Sequence, residues 1–441
     1  MNFDVGVIGL GYVGLTLATA LSKSGLKVVG IERQLDIVKK VNQGKAHFTE
    51  TGLENILSDQ ISNGNLIARD KFKSSDCCKY FIITVGTPID NNGIPRLDMI
   101  KLAVSDIAKK INNGSIVILR STVEIGTTRN HVEKTLKKTG KKFHLAMCAE
   151  RTIEGNAMKE LNELPQIIGS EEKEGREKAA KLFRRLTNAI IFVNSYETAE
   201  IVKLVDNTYR DVQFAFANEI ARVCDVVGVN AMEVIEAANE KYPRTNVALP
   251  GLVGGPCLVK DPHILRHSVK KYGIDLDITR AARHTNESQP AEIISKLINQ
   301  FSKSKLKSDL KISLLGMAFK GKPQTNDLRG SMATVILKEL QIKSPKSNIG
   351  LYDPAVTLEK LKQNYPKFIV YENIYEAITG CDLVIIANNN NFFIQQDLNK
   401  LINLLSQDGF IFDFWNLFTN YPEDKYNGKY ITLGNLQFLK F

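Results

Sequence analysis

The run Gly9-Leu10-Gly11-Tyr12-Val13-Gly14 constrains the fold more than any other stretch of the chain. It stands between an apolar, strand-like segment, Asp4 to Gly9, and a segment from Tyr12 to Ser24 whose apolar residues recur at helical spacing. A glycine at 9 permits a tight turn, one at 11 lets the backbone approach a pyrophosphate at the helix N-terminus, and one at 14 lets helix and strand pack closely. A second strand, Lys27 to Glu32, ends on a carboxylate placed to accept hydrogen bonds from a ribose diol. That carboxylate repels a 2′-phosphate and so predicts NAD, although its neighbour Arg33 weighs against the distinction. Gly9, Gly11, Tyr12, Val13, Gly14, Glu32 and Arg33 are therefore the first candidate cofactor residues. A glycine-rich turn without a ligand is the bland alternative.

Further strand-like runs at Tyr80 to Val85, Ser115 to Arg120 and Phe143 to Cys148 alternate with helix-length segments. This alternation predicts an α/β fold with a doubly wound parallel sheet, assigned to a first domain of residues 1–195. Gly86-Thr87 and Ser121-Thr122 follow two of these strands, at the sheet edge where a cofactor lies; ordinary strand-ending turns would read the same. Glu150 and Glu154 follow another strand, four residues apart, so that one can activate water at a shared site. Two solvent-facing glutamates at a helix start would give the same pattern.

Residues 196–300 read as a helical middle domain. Its long helix, Glu197 to about Gly228, carries an apolar stripe through Ile201, Leu204, Val205, Thr208, Val212, Ala215, Phe216, Ile220 and Val223, a natural dimer seam. Lys203 and Asn207, on or beside that stripe, form a pair that can hold a developing oxyanion or a boundary position with a snorkelling lysine. After it comes Pro250-Gly251-Leu252-Val253-Gly254-Gly255-Pro256-Cys257-Leu258-Val259-Lys260-Asp261. Glycines let this loop crowd a ligand, and a lysine and a carboxylate follow the thiol, as suits a nucleophile; a buried structural thiol is the alternative. From Leu310 the strand–turn–helix alternation resumes, with strands at Ile349 to Tyr352, Asp382 to Ala387 and Phe410 to Phe414, giving a second Rossmann-like domain over residues 301–441.

Composition narrows the partners. The net charge of +10 raises nucleic acid as a ligand, but Lys and Arg are interleaved with acids, as in Glu171 to Lys178, and read as solvated faces. Six cysteines show neither CxxC spacing nor a metal-ligand pattern with the histidines, so no metal is predicted. The chain runs from Met1 into an apolar strand without a basic leader, and no apolar run is long enough to span a bilayer. A cytoplasmic enzyme, away from membranes, is the expectation.

With these segments assembled, the chain resembles the UDP-glucose and UDP-N-acetylhexosamine 6-dehydrogenase family, nearly end to end. The likeness rests on GLGYVG, VGTP, STVEIGTT, ERTIEG, KLVDN, GGPCLVKD and, in the third domain, Gly316-Met317-Ala318-Phe319-Lys320-Gly321 with Asp327-Leu328-Arg329. It implies an NAD domain, a helical dimerising middle and a UDP-binding C-terminal domain. It also implies oxidation of a sugar C6 alcohol to a carboxylate in two hydride transfers, with Cys257 holding a thiohemiacetal and then a thioester. On the same resemblance Lys203 and Asn207 stabilise the C6 oxygen, and Thr122, Glu150 and Asp261 position or activate water. Glu154 and Arg329 lie near the cofactor; Arg244, Gly254, Phe319 and Lys320, with Glu150, Lys203 and Asn207, contact the UDP-sugar. Tyr242 to Asn246 and Ala282 to Ser288 resemble the N-acetylhexosamine branch, which implies UDP-N-acetylglucosamine or UDP-N-acetylmannosamine as substrate. Three positions depart from the family pattern: Pro256 replaces the histidine usual in that branch, Ala149 a proline, and Trp415 an arginine of UDP-glucose enzymes. UDP-glucose is the rival substrate. A two-electron hydroxyacid dehydrogenase and a non-catalytic sugar-nucleotide binding protein are the rival functions.

Overall fold

The computed structural model describes residues 2–90, 92–303, 309–418 and 428–438. The chain forms two compact units, Met1–Asn207 with His263–Asp275, and Thr208–Pro262 with Leu276–Phe441.

The first unit is built on an eight-stranded sheet: β1 (Asn2–Ile8), β2 (Val28–Ile31), β3 (Leu66–Arg69), β4 (Cys77–Ile83), β5 (Ile116–Leu119), β6 (His144–Met147), β7 (Gln166–Gly169) and β8 (Ile190–Val193). Their order is β3-β2-β1-β4-β5-β6-β7-β8, which reverses direction between β1 and β4. That reversal opens a crevice at the carboxyl ends of β1 and β4, the usual ligand position in such sheets. Successive side chains of a strand face opposite ways, so Phe81 and Ile83 of β4 enter one core while Ile82 enters the other, beside Leu15, Ala18 and Leu21 of the helix Tyr12–Lys23. Burial on both faces explains why β5 reads as an unbroken apolar run. Two differences from the sequence reading emerge. The strands β3, β7 and β8 were not expected; β3 and β8 are the two edges of the sheet and β7 lies beside β8, away from the apolar centre that the sequence reading followed. The sheet is also not wholly parallel, because β6 and β7 meet antiparallel at Met147 and Gly169.

The second unit holds a six-stranded sheet of β9 (Lys311–Leu315), β10 (Asn348–Tyr352), β11 (Ile369–Val370), β12 (Leu383–Ile386), β13 (Phe410–Asp413) and β14 (Tyr430–Thr432). Its order, β11-β10-β9-β12-β13-β14, repeats the reversal of the first sheet, and each strand pair recorded in it is parallel. Leu297 and Phe301 of the helix Asp277–Lys303 share a core with Ile336 and Leu340 of the helix Met332–Lys343 and with β9 and β13.

The long helix spans Tyr196–Val227, close to expectation, and much of its apolar stripe faces outward in the single chain. Leu204, Thr208 and Ala215 are buried, whereas Ile201, Val205, Phe216 and Val223 are exposed. The covered positions include Glu200, Lys203, Asn207, Asp211 and Asn218. Periodicity finds a stripe; it cannot say that polar residues with partners have taken the inner side.

Candidate active site

In the first unit the fingerprint turn behaves as its glycines require. Gly9 has φ +94°, and a Cβ added at Gly14 would stand 1.8 Å from the Gly9 carbonyl oxygen. A Cβ on Gly11 would meet nothing within 4 Å, and no side chain caps the helix that begins at Tyr12. Open space over uncapped N–H groups is what a pyrophosphate needs. At the end of β2, Glu32 accepts from the Leu10 N–H at 2.9 Å and the Gln34 N–H at 3.0 Å, which fixes the carboxylate beside the turn. The residues therefore fit a dinucleotide with a ribose diol. Arg33 points elsewhere, 3.4 Å from Asp106.

Tyr12 is anchored rather than free. Its hydroxyl pairs with Glu50, and the Gly155 N–H donates to Tyr12 Oη at 2.9 Å and to Glu50 Oε2 at 2.7 Å. Burial, then the Glu50 carboxylate, with a smaller contribution from Glu154, raises the phenol well above its ordinary pKa. Tyr12 thus stays protonated and ties the fingerprint helix to the turn containing Glu154. Sequence reasoning missed Glu50, which offered no motif to find.

The ends of β4 and β5 are stitched together by hydroxyls. Thr87 Oγ1 donates to the Thr122 carbonyl at 2.5 Å and Ser121 Oγ to the Val85 carbonyl at 2.7 Å, so both hydroxyls set backbone shape. Gly86 leaves room, its added Cβ reaching only Met99 Sδ at 3.8 Å. Glu150 sits after β6 on a loop, not a helix. Its Oε2 accepts from Arg120 Nε at 3.0 Å and Nη2 at 2.7 Å, and its Oε1 from the Arg151 and Thr152 N–H groups at 2.7 and 3.0 Å. Burial alone would raise the pKa of Glu150; Arg120 and the two backbone donors outweigh it and hold the carboxyl below its usual range. Arg120 is fully buried, with Phe183 beneath its guanidinium. It was legible only as the last residue of a strand, yet it determines the charge of Glu150.

Lys203 and Asn207 are both buried on the long helix. One turn earlier, Glu200 accepts from the N–H groups of Gly126 (2.6 Å) and Thr128 (2.8 Å) and from the Thr128 hydroxyl (2.6 Å). It thereby holds the loop that leads away from Thr122. Ile125 N–H donates to Ser268 Oγ on the helix Asp261–Lys270, holding the same loop from another side.

In the second unit, Cys257 is exposed on a turn that runs into the helix beginning at Asp261. Three glycines of the loop are fitted closely to the carboxyl edge of the second sheet and the segment beyond it. An added Cβ on Gly251 would lie 2.9 Å from the Trp415 ring, on Gly254 2.7 Å from the Gly330 carbonyl, and on Gly255 2.5 Å from the Phe319 ring. Gly255, at φ +92°, donates its N–H to the Gly330 carbonyl at 2.8 Å. Lys260 Nζ donates to the wholly buried Asp261 at 2.8 Å. Burial would lower the Lys260 pKa, but the charges of Asp261 and the Cys257 thiolate raise it. Arg329 is largely exposed and chelated by Asp327, Lys320 lies over the Phe319 ring at 5.4 Å, and Arg244 is exposed with its guanidinium 4.4 Å from the Tyr242 ring centroid.

Family models match this chain in three consecutive parts. They are described as the UDP-glucose/GDP-mannose dehydrogenase family NAD binding domain (residues 3–187), central domain (197–288) and UDP binding domain (313–420). The UDP-N-acetyl-D-mannosamine dehydrogenase of Pyrococcus horikoshii is 34% identical over 396 residues, 88% of this chain and 90% of the relative. The chain belongs to the UDP-glucose/GDP-mannose dehydrogenase family. A solved structure of the UDP-D-ManNAc dehydrogenase from Pyrococcus horikoshii matches with a TM-score of 0.86 at 32% identity, covering 99% of this chain and 100% of that one. The native structure of the UDP-N-acetyl-mannosamine dehydrogenase Cap5O from Staphylococcus aureus follows at 0.85 and 27%, covering 99% and 100%. This protein is accordingly an NAD-dependent UDP-sugar dehydrogenase, an oxidoreductase. Among the described residues no helix is long and apolar enough to cross a membrane.

Proposed function

We propose that the enzyme carries out the four-electron oxidation of a UDP-N-acetylhexosamine, UDP-N-acetylmannosamine foremost, from the C6 alcohol to the uronate. The observation that carries the chemistry is Cys257: exposed, and presented by a glycine-shaped turn that the Lys260 and Asp261 N–H groups close on its carbonyl at 3.1 and 2.9 Å. NAD⁺, when bound, accepts the hydride of each oxidation. The Cys257 thiolate adds to the C6 aldehyde to form a C–S bond, loss of a hydride leaves the thioester, and water releases the carboxylate and the thiol. For each sugar, two NAD⁺ and one water give one carboxylate, two NADH and three protons. Lys203 and Asn207 steady the C6 oxygen, and Asp261, Thr122 and Glu150 order the water. Glu150, with donors on both oxygens, serves better as a fixed negative charge than as a base. Gly254, Phe319 and Lys320 contact the UDP-sugar, as does Arg244; Arg329 and Glu154 lie toward the cofactor.

The sugar assignment is supported by relatives bearing the UDP-N-acetyl-D-mannosamine dehydrogenase name over most of their length. The division into residues 1–195, 196–300 and 301–441 is part of the same reading. So are a cytoplasmic location and a homodimer or higher homo-oligomer, the assembly supported by the exposed Ile201, Val205, Tyr209, Phe216 and Val223 of the long helix. Initial rates of NADH formation with UDP-N-acetylmannosamine, UDP-N-acetylglucosamine and UDP-glucose test the substrate. Turnover of UDP-glucose alone sinks the sugar assignment. A Cys257→Ala enzyme that still makes two NADH per sugar sinks the thioester.

A further inference from the structure

The loop that carries Cys257 has no ladder of its own, since residues 251–254 form no regular structure, 255 is a bend and 256–260 are turns. Its shape is set instead by a buried chain of four polar side chains from two helices. At the upstream flank, Asn218 of the long helix binds Gly251 twice: Nδ2 donates to the Gly251 carbonyl at 3.0 Å and Oδ1 accepts the Gly251 N–H at 2.9 Å. The same Nδ2 donates to Asn286 Oδ1 at 3.0 Å, and Asn286 Nδ2 donates to Asp211 Oδ1 at 2.9 Å and to the Asp211 carbonyl at 3.0 Å. Asp211 Oδ1 accepts from Arg283 Nη1 at 2.7 Å, and that nitrogen also donates to the Leu258 carbonyl at 2.8 Å. Gly251 and the residue next to Cys257 are thus joined through Asn218, Asn286, Asp211 and Arg283, each at most 1% exposed.

A buried carboxylate, guanidinium and two amides are a costly way to fill a core, and apolar residues of similar volume often hold one equally well. What apolar residues cannot do is bind the N–H and carbonyl of Gly251 and the carbonyl of Leu258 in one fixed relation. The geometry points to the Asn218–Asn286–Asp211–Arg283 chain as the positioning device of the thiol, fixing both flanks of the loop so that Cys257 meets the C6 carbon of the aldehyde. This rests on the reading of Cys257 as the nucleophile. The four residues act through the loop backbone; they are positioning residues.

The two hydride transfers make the test selective, because the first converts alcohol to aldehyde without the thiol and the second needs it. In single turnovers of the full-length enzyme with UDP-N-acetylmannosamine and excess NAD⁺, the near-isosteric Asn218→Asp and Asp211→Asn are expected to release the first NADH within about threefold of the parent rate. They are expected to slow the second by about 100-fold, the scale of a misplacement near one ångström. Alkylation of Cys257 by iodoacetamide, located by mass spectrometry, should slow in the same variants and gives a readout independent of turnover. Equal slowing of both NADH equivalents, or of neither, overturns the proposal. The Cys257→Ala control separates the causes. If it halts after one NADH while Asn218→Asp and Asp211→Asn give both at the parent rate, positioning alone is wrong; if it gives both, the nucleophile reading fails and this inference falls with it.

Discussion

In the first sheet the chain leaves β1 through Gly9 and is helical by Tyr12; in the second it leaves β9 through Gly316, at φ +88°, and becomes helical only at Met332. The strand orders are alike, so topology puts a crevice at the same place in both. Their turns differ in what fills that crevice. In the first sheet Gly11 leaves open space, and Glu32 after β2 is half-exposed while gripping the Leu10 N–H. In the second, Met317, Ala318 and Asn388 are buried, and Asp353 after β10 is buried while accepting from Ala318, Ala355 and Val356 N–H groups at 2.8, 2.7 and 3.0 Å. In both turns a carboxylate after the second strand takes a backbone donor, but the first leaves open space over Gly11 whereas the second is packed by buried side chains. Strand order tells where a nucleotide can sit; the turn decides which part of it the sheet can hold.

The largest expected effect that would break this contrast lies at the glycines. Gly14→Ala drives a methyl into the Gly9 carbonyl and should cost about 3 kcal/mol or more, read as a collapse of thermal stability with loss of NAD⁺ turnover. Gly11→Ala should melt normally yet raise KM for NAD⁺ roughly tenfold, about 1.4 kcal/mol; an unchanged KM would show that the turn does not touch the cofactor. Glu200 sharpens the contrast through pH. Burial pushes its pKa from 4.5 up to about 7, against the pull of the Thr128 and Gly126 donors. The folded chain therefore holds this proton more tightly than the unfolded one. The stability it contributes is complete below about pH 4.5 and is lost as pH rises through about 7, up to about 3 kcal/mol in denaturant titrations. Glu200→Gln should flatten that slope in the first unit. Asp353→Asn should cost about 1–3 kcal/mol without changing KM for NAD⁺, because its donors belong to the second turn. Glu32→Gln should have the smallest effect, a loss of roughly tenfold or less in the preference for NAD⁺ over NADP⁺, measured as a ratio of kcat/KM.

The sequence made the fold legible at the centre of each sheet, where strands such as β1 and β5 read as apolar runs. It failed at the sheet edges β3, β8, β11 and β14, at β7 beside β8, and at the antiparallel step from β6 to β7, which depends on pairing across the sheet. The candidate residues stood out where chemistry and spacing coincided, as at Gly9 to Gly14 and around Cys257. The residues that hold them did not. Glu50, Arg120, Glu200 and Asp211 reach partners 38, 30, 72 and 72 positions away, and such partnerships leave no local pattern; Arg283 and Asn286 lay inside a segment noted only for its likeness to one branch. The apolar stripe of the long helix was legible, but hydrophobicity marks a face without naming what covers it: Ile201, Val205, Phe216 and Val223 are exposed in the single chain.

The close fit of Gly251, Gly254 and Gly255 against Trp415, Gly330 and Phe319 limits how the chain can be recombined with its relatives. A hybrid that exchanged only residues 301–441 would set a foreign surface against three positions where one extra methyl has no room. The smallest portable piece with its thiol correctly seated must begin upstream, near Thr208, where the second compact unit begins. In that sense the cysteine is inherited with the part matched by the UDP-binding model, and substrate choice and covalent capture would have to be altered together.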